Sequence, residues 1–180
     1  LAAGAVVSGL NLALDRGATF SGNVRAAVGA APIANANVWV NNDFYGASAV
    51  TDAAGNFAVR GLPPGVYHAY ADAPGQNFVQ TWLGDVPCRG FSCVDVGTPF
   101  TLASNATLSG QQFNMPVGGT IAGVIIDGAT GFPGPRQTRL ELFDSLGRTV
   151  VQPTSSGASG YSFTGLQPGA YKAVFASSSL

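Results

Sequence analysis

The chain reads as an all-β protein built from two tandem β-sandwiches, and three observations predict it. Its 25 glycines and 11 prolines fall between short alternating apolar runs rich in Val, Phe and Tyr, the pattern of strands joined by tight turns. The stretch Gly61-Leu62-Pro63-Pro64-Gly65-Val66-Tyr67 returns as Gly165-Leu166-Gln167-Pro168-Gly169-Ala170-Tyr171. In each, proline presets φ and glycine accepts the left-handed conformation of a strand-turn-strand corner. The domain starts also repeat: Gly17, Thr19 and Gly22 return as Gly118, Thr120 and Gly123, and Leu1-Ala2 through Ser8-Gly9 as Leu102-Ala103 through Ser109-Gly110. These repeats are the mark of a duplicated unit.

In the first copy, strands are expected at Ala18–Arg25, Asn37–Asn41, Ala47–Thr51, Asn56–Arg60, Val66–Ala71 and Phe78–Trp82. Turn clusters separate them at Gly29–Pro32, Asp52–Gly55, Leu62–Gly65 and Ala73–Gly75. A long irregular segment from Gly84 to about Pro99 precedes a closing strand at Leu108–Met115, with Leu108, Phe113 and Met115 as core contacts. Seven short strands in about 100 residues are what a sandwich requires.

Side chains alternate across a strand, so the apolar pattern assigns faces. Val38 and Val40 point inward with their counterparts Leu140 and Leu142, and Trp39 points outward with Glu141. Phe57, Val59, Tyr67 and Ala69 point inward, matched by Tyr161, Phe163, Tyr171 and Ala173, while His68 and Lys172 share an outward position.

The order Gly-x-x-x-x-Gly-x-Val at Gly17–Val24, a turn at Pro32, Ala36-Asn37-Val38-Trp39-Val40, Thr51-Asp52-Ala53-Ala54-Gly55-Asn56-Phe57 and the Gly61–Tyr67 corner resembles the carboxypeptidase regulatory-like domain. That family is similar to transthyretin-like and bacterial B-type surface repeats. The resemblance covers Gly17 to about Leu83 closely and Gly118 to Phe175 more loosely, where Gly157-Ala158-Ser159-Gly160 replaces the Asp-bearing turn. It implies two seven-stranded Greek-key (transthyretin/Ig-like) sandwiches and a non-catalytic accessory or stalk module, secreted or on a cell surface. It supplies no catalytic residues.

Aligned on the repeat, residues 16–115 form the first sandwich and residues 116–180 a second that lacks its closing strand. Residues 1–15 match the closing strand of the first copy and read as the closing strand of a neighbouring unit. An unpaired sheet edge accepts such a strand. The expected partners are therefore copies of the chain or adjacent repeats, joined head to tail through Val6, Leu10, Leu12 and Leu14 into a stalk, array or filament.

Charged residues make up 9%, with one Lys (Lys172) and one Glu (Glu141), and the net charge is −1. Nucleic-acid and anionic-membrane partners require clustered Lys and Arg, so both are excluded, and no apolar run reaches the ~20 residues of a membrane-spanning helix. Catalysis finds no foothold: His68 is the only histidine, and no Gly-x-Ser-x-Gly occurs. No cofactor or metal is expected, since Asp52-Ala53-Ala54-Gly55-Asn56 places alanine where a calcium loop needs oxygen ligands. The single lysine sits at an outward position, against a Lys–Asn isopeptide cross-link of the kind some B-type domains form. Cys88 and Cys93 suit a local disulfide of an oxidising compartment. The exposed aromatics Trp39, Tyr45, Tyr70 and Trp82 suggest an interface between units or, as the alternative function, a sugar-stacking platform in a carbohydrate-binding accessory module of a secreted enzyme.

Overall fold

A computed structural model describes residues 2–9, 11, 16–88, 93, 96–126, 128–131, 138–151, 155–157 and 160–177. Its elements are all strands: β1 (Ala18–Ala26), β2 (Asn37–Asn41), β3 (Gly46–Val50), β4 (Asn56–Leu62), β5 (Gly65–Asp72), β6 (Thr81–Trp82), β7 (Val86–Pro87), β8 (Phe100–Leu102), β9 (Thr107–Met115), β10 (Gly119–Val124), β11 (Thr138–Asp144), β12 (Thr149–Val151), β13 (Ser155–Gly157), β14 (Gly160–Leu166) and β15 (Tyr171–Ser177).

The fold is an all-β sandwich. One sheet runs β4-β1-β9 and the facing one β3-β2-β5-β6-β7, with β8 also pairing β5. Alternation buries Phe20 and Val24 of β1, Val38 and Val40 of β2, Phe57 and Val59 of β4, and Tyr67, Ala69 and Ala71 of β5 between them. An aromatic string ties the layers: Phe20 lies 4.5 Å from Phe100 and 5.6 Å from Phe57, and Phe57 lies 5.8 Å from Phe113. The closing strand β9 pairs β1 in parallel, Val24 opposite Phe113 and Ala26 opposite Met115. Both Phe113 and Met115 are fully buried and Leu108 partly so.

The pairing is irregular at Gly110 (φ +73°), and β1 answers with Gly22. A Cβ on Gly22 would stand 1.7 Å from the Gln111 carbonyl oxygen, so the strand pairing itself excludes any side chain there.

The later strands form β10-β14-β13 and β12-β11-β15. They repeat the first set, with β10 standing for β1, β14 for β4, β11 for β2 and β15 for β5. Leu140, Leu142, Phe163 and Leu166 are their buried cluster, with Ile121, Val150, Tyr161 and Tyr171 packed partly buried against it. Ala173, expected inward, is exposed. Its counterpart Ala69 is fully buried in a set whose β5 has strands on both sides, whereas among the described residues β15 pairs only β11.

The expected strand Phe78–Trp82 is shorter, Thr81–Trp82, and continues through the turn at Gly84 into β7. Phe78 instead forms an isolated bridge with Val117.

Candidate functional site

Three regions carry the residues singled out above. The first is the edge of β10. In the first set β1 is flanked by β4 on one side and β9 on the other; among the described residues β10 has β14 on one side and no strand on the other. Val124 (70% exposed) and Ile126 (60%) lie along this stretch.

Residues 2–9 share a turn hydrogen bond and two left-handed positions with residues 103–110, which lead into and begin β9. The Ala5 amide donates to the Ala2 carbonyl (3.0 Å) as that of Ala106 does to Ala103 (3.1 Å). Gly4 and Asn105 both take left-handed φ (+81° and +60°), and so do Gly9 and Gly110 (+79° and +73°). In the first set the lead-in is anchored, the Thr19 amide donating to Ala106 and that of Asn105 to Arg16. In residues 2–9, Val6 is 88% exposed. Leu10, Leu12 and Leu14 lie outside the described residues.

The second region is the junction between the two sets, where Asn77 acts on three partners. Its Oδ1 accepts from the Gly165 amide (2.8 Å) and the Thr120 hydroxyl (3.2 Å), and its Nδ2 donates to the Gly118 carbonyl (2.8 Å). The Gly118 amide donates to the Asn77 carbonyl (2.8 Å), and the Val79 amide to Pro116 (2.9 Å). Asn77 itself is left-handed at φ +56°. The Gln167 side chain also donates to the Pro87 carbonyl. Asn77 was not singled out by the sequence; the signal that could have found it was the recurrence of Gly118, Thr120 and Gly165, three residues of the repeat that converge on one side chain.

The third region is the outer face of β2-β5-β6. Trp39, Tyr70 and Trp82 stand in register across the three strands. Trp39 stacks on Tyr70 at 6.5 Å, and Tyr70 meets Trp82 at 4.9 Å. Burial raises the Tyr70 hydroxyl pKa above its ordinary value, with the Asp72 carboxylate adding to it. Trp39 is 42% exposed, but Trp82, expected on the exposed surface, is only 5% exposed. The chain after β7 folds back over it: the Thr98 amide donates to Leu83, and a Cβ on Gly97 would stand 2.9 Å from that of Trp82. Tyr45, 38% exposed, stands apart, its hydroxyl reaching the Gly61 carbonyl.

Beside the ring ladder, Trp82 Nε1, Asn41 Oδ1 and Asp72 Oδ1 are buried without a hydrogen-bond partner among the described residues. On the corresponding face of the later strands, Phe143, Asp144, Tyr171, Lys172 and Val174 line an open pocket of about 470 Å³.

Cys88 and Cys93 are joined in a disulfide, with Cα atoms 5.7 Å apart. Asp52 is turn-bound: its Oδ1 accepts from the Ala54 and Asn56 amides (2.9 and 2.8 Å). Among the described residues no group of three or more His, Cys, Asp and Glu gathers that could hold a metal ion, and no helix is long and apolar enough to cross a membrane.

The strand order, the Asp52 turn and the Gly61–Tyr67 corner together meet a known family. Residues 19–87 match the carboxypeptidase regulatory-like domain. The match runs from the second residue of β1 through β7, so the Trp39-Tyr70-Trp82 ladder and Asn77 lie inside the matched residues and β9 outside them.

No curated protein matches the chain. Similar solved structures include the Bacillus anthracis TIE protein (14% identity, 90% of this chain and 28% of that one, TM-score 0.41). A Streptococcal ancillary pilin is similar at 13% identity, over 86% of this chain and 52% of that one, with TM-score 0.41. A mutant type II cohesin–X-dockerin complex from Acetivibrio cellulolyticus is similar at 21% identity, over 57% and 59%, with TM-score 0.38. The chain spans less than two thirds of each of these structures.

Proposed function

We propose that the chain is a non-catalytic structural module of a secreted or cell-surface protein, a repeat unit whose N-terminal segment closes the second sandwich of its neighbour by strand addition. The supporting observation is the likeness of residues 2–9 to residues 103–110 in turn hydrogen bond and in both left-handed positions, although among the described residues only the latter pair with a sheet. In the proposed complex the donated strand runs parallel to β10. Val7 takes the place of Leu108, Leu12 that of Phe113 and Leu14 that of Met115, and Gly9 supplies the irregularity opposite Gly123.

Burying three such side chains contributes roughly 5–9 kcal/mol before costs. That is comparable with the roughly 4–15 kcal/mol lost on associating two free bodies. Separate chains should therefore associate weakly, while units in one continuous array, at high effective concentration, pair firmly. Deletion of residues 1–15 tests the reading by sedimentation and urea melting. Loss of concentration-dependent association, with a less stable second sandwich, is expected; unchanged association and stability sink it.

A second reading, a carbohydrate-binding module, is supported by the exposed Trp39 stacked on Tyr70. Flat rings of this kind stack on sugar faces. Glycan-array binding abolished by Trp39→Ala would establish it, and no binding by the unaltered chain would discard it.

A further inference from the structure

The joint centred on Asn77 has a duplicate receiving half in which, among the described residues, no asparagine side chain sits. Asn77 is received by the Gly118 backbone, the Thr120 hydroxyl and the Gly165 amide. The first set carries the same three residues at Gly17, Thr19 and Gly61. Between them the neighbours have drifted: Ala18 became Gly119, Phe20 became Ile121 and Arg60 became Thr164.

The geometry is also duplicated. A Cβ on Gly17 would lie 2.4 Å from the Gly61 backbone, and one on Gly118 would lie 2.4 Å from that of Gly165. Gly61 occupies the register shift where β4 runs one residue longer than β1, and Gly165 lies in the corresponding shift between β14 and β10.

The close approach explains both glycine pairs by folding alone. It does not explain the threonine, whose hydroxyl at position 120 faces Asn77. Gly17 and Gly61 are exposed and Thr19 is half-buried. Among the described residues neither the Gly17 amide nor the Thr19 hydroxyl has a hydrogen-bond partner.

We infer that Gly17, Thr19 and Gly61 are the receiving half of a second joint. Its occupant is an asparagine held left-handed on the turn after the β5-equivalent strand of a preceding sandwich of this same fold. The proposal rests on the head-to-tail reading, because residues 1–15 lead into β1 as residues 102–116 lead into β10. The donated strand sets which sandwich precedes, and the asparagine sets the angle between the two.

The test adds a second copy of residues 16–101 directly before Leu1, so that residues 1–14 follow it as residues 102–115 follow the original. Amide hydrogen exchange is then read by NMR. In the unaltered chain Asn77→Ala must speed exchange of the Gly165 amide about five- to tenfold, the loss expected of one hydrogen bond; no change there would overturn the joint itself.

In the fusion the Gly61 amide should slow by a similar factor, and Asn77→Ala in the added copy alone should reverse it. If Gly61 exchanges as before while the amides of residues 5–9 become protected, strand addition stands and the socket falls. If Gly61 slows in an Asn77-dependent way while residues 5–9 stay unprotected, the socket stands and strand addition falls. If neither changes, both fall.

Discussion

The two strand sets share a plan and differ in closure. The first buries Phe20, Phe57, Tyr67, Phe113 and Met115 between two sheets in which β1, β2 and β5 each have a strand on both sides. The second buries Leu140, Leu142, Phe163 and Leu166, and its Tyr161 and Tyr171 stay partly exposed where Phe57 and Tyr67 are covered. Equivalent sequence positions thus reach different burial because one set has β8 and β9 and, among the described residues, the other has no counterpart. Flanking strands, more than the composition of the shared strands, separate the fully buried core from the partly exposed one.

The sharpest way to break that comparison is to open the first sandwich. Phe113→Ala removes a fully buried ring from the closing strand and should cost about 3–5 kcal/mol. Urea melting followed by Trp fluorescence reports the first set selectively, since Trp39 and Trp82 both belong to it. If the later strands, followed by NMR, lose stability equally, the two cores are one cooperative unit and their contrast is not one of closure.

The disulfide should matter less. Closing so short a loop contributes roughly 2 kcal/mol in the chain-entropy model. Cys88→Ser with Cys93→Ser is expected to lower the first transition by that amount and leave the second in place. Loss of the Tyr70–Trp82 contact on that substitution, seen as a red-shifted Trp emission, would show that the bond also holds the chain over Trp82.

How much of this was legible in the sequence depended on the range of the interaction. Alternation placed Val38, Val40, Phe57, Val59, Tyr67 and Phe163 inward because each choice is decided within its own strand. Trp82 and Ala173 were misplaced because their burial depends on segments distant in the chain: the fold-back at Gly97 covers one, and among the described residues only β11 pairs with the strand of the other. The parallel pairing of β1 with β9 was invisible for the same reason, although Phe113 and Met115 were recognisable as core. The Asn77 joint joins residues up to 88 positions apart, and only the internal repeat hinted at its receiving half.

A smaller effect asks whether the corner turn is equivalent in both copies. The Tyr67 hydroxyl donates to the Pro63 carbonyl at 2.8 Å, and that of Tyr171 to Gln167 at 2.6 Å. Each bond ties the second strand to the turn it has just left. Tyr67→Phe and Tyr171→Phe should each cost about 1 kcal/mol. Unequal losses would mean that the more exposed later set lets water take over the role of the carbonyl.

The gentlest probe is acid. Asn42 in the first set and Asp144 in the second hold corresponding hairpin turns: Asn42 Oδ1 accepts from Phe44 and Tyr45, and Asp144 Oδ1 from Leu146 and Arg148. Only the second can be protonated. The Arg148 amide, followed by the Arg148 side chain, holds the Asp144 carboxyl below the ordinary carboxylate range; in the first set the Asn56 amide does the same for Asp52. A lowered folded-state pKa means the contribution is complete above the unfolded value near ~3.9 and is lost as pH falls through the lowered value. Both turns are exposed and the effects accordingly small. Asp144→Asn should flatten the acid limb of the second set's stability curve and Asp52→Asn that of the first, while Asn42→Asp should give the first hairpin an acid response it now lacks. If Asn42→Asp leaves the pH profile of the first sandwich unchanged, the corresponding turns are held by their backbones alone and the side-chain acceptor is incidental in both copies.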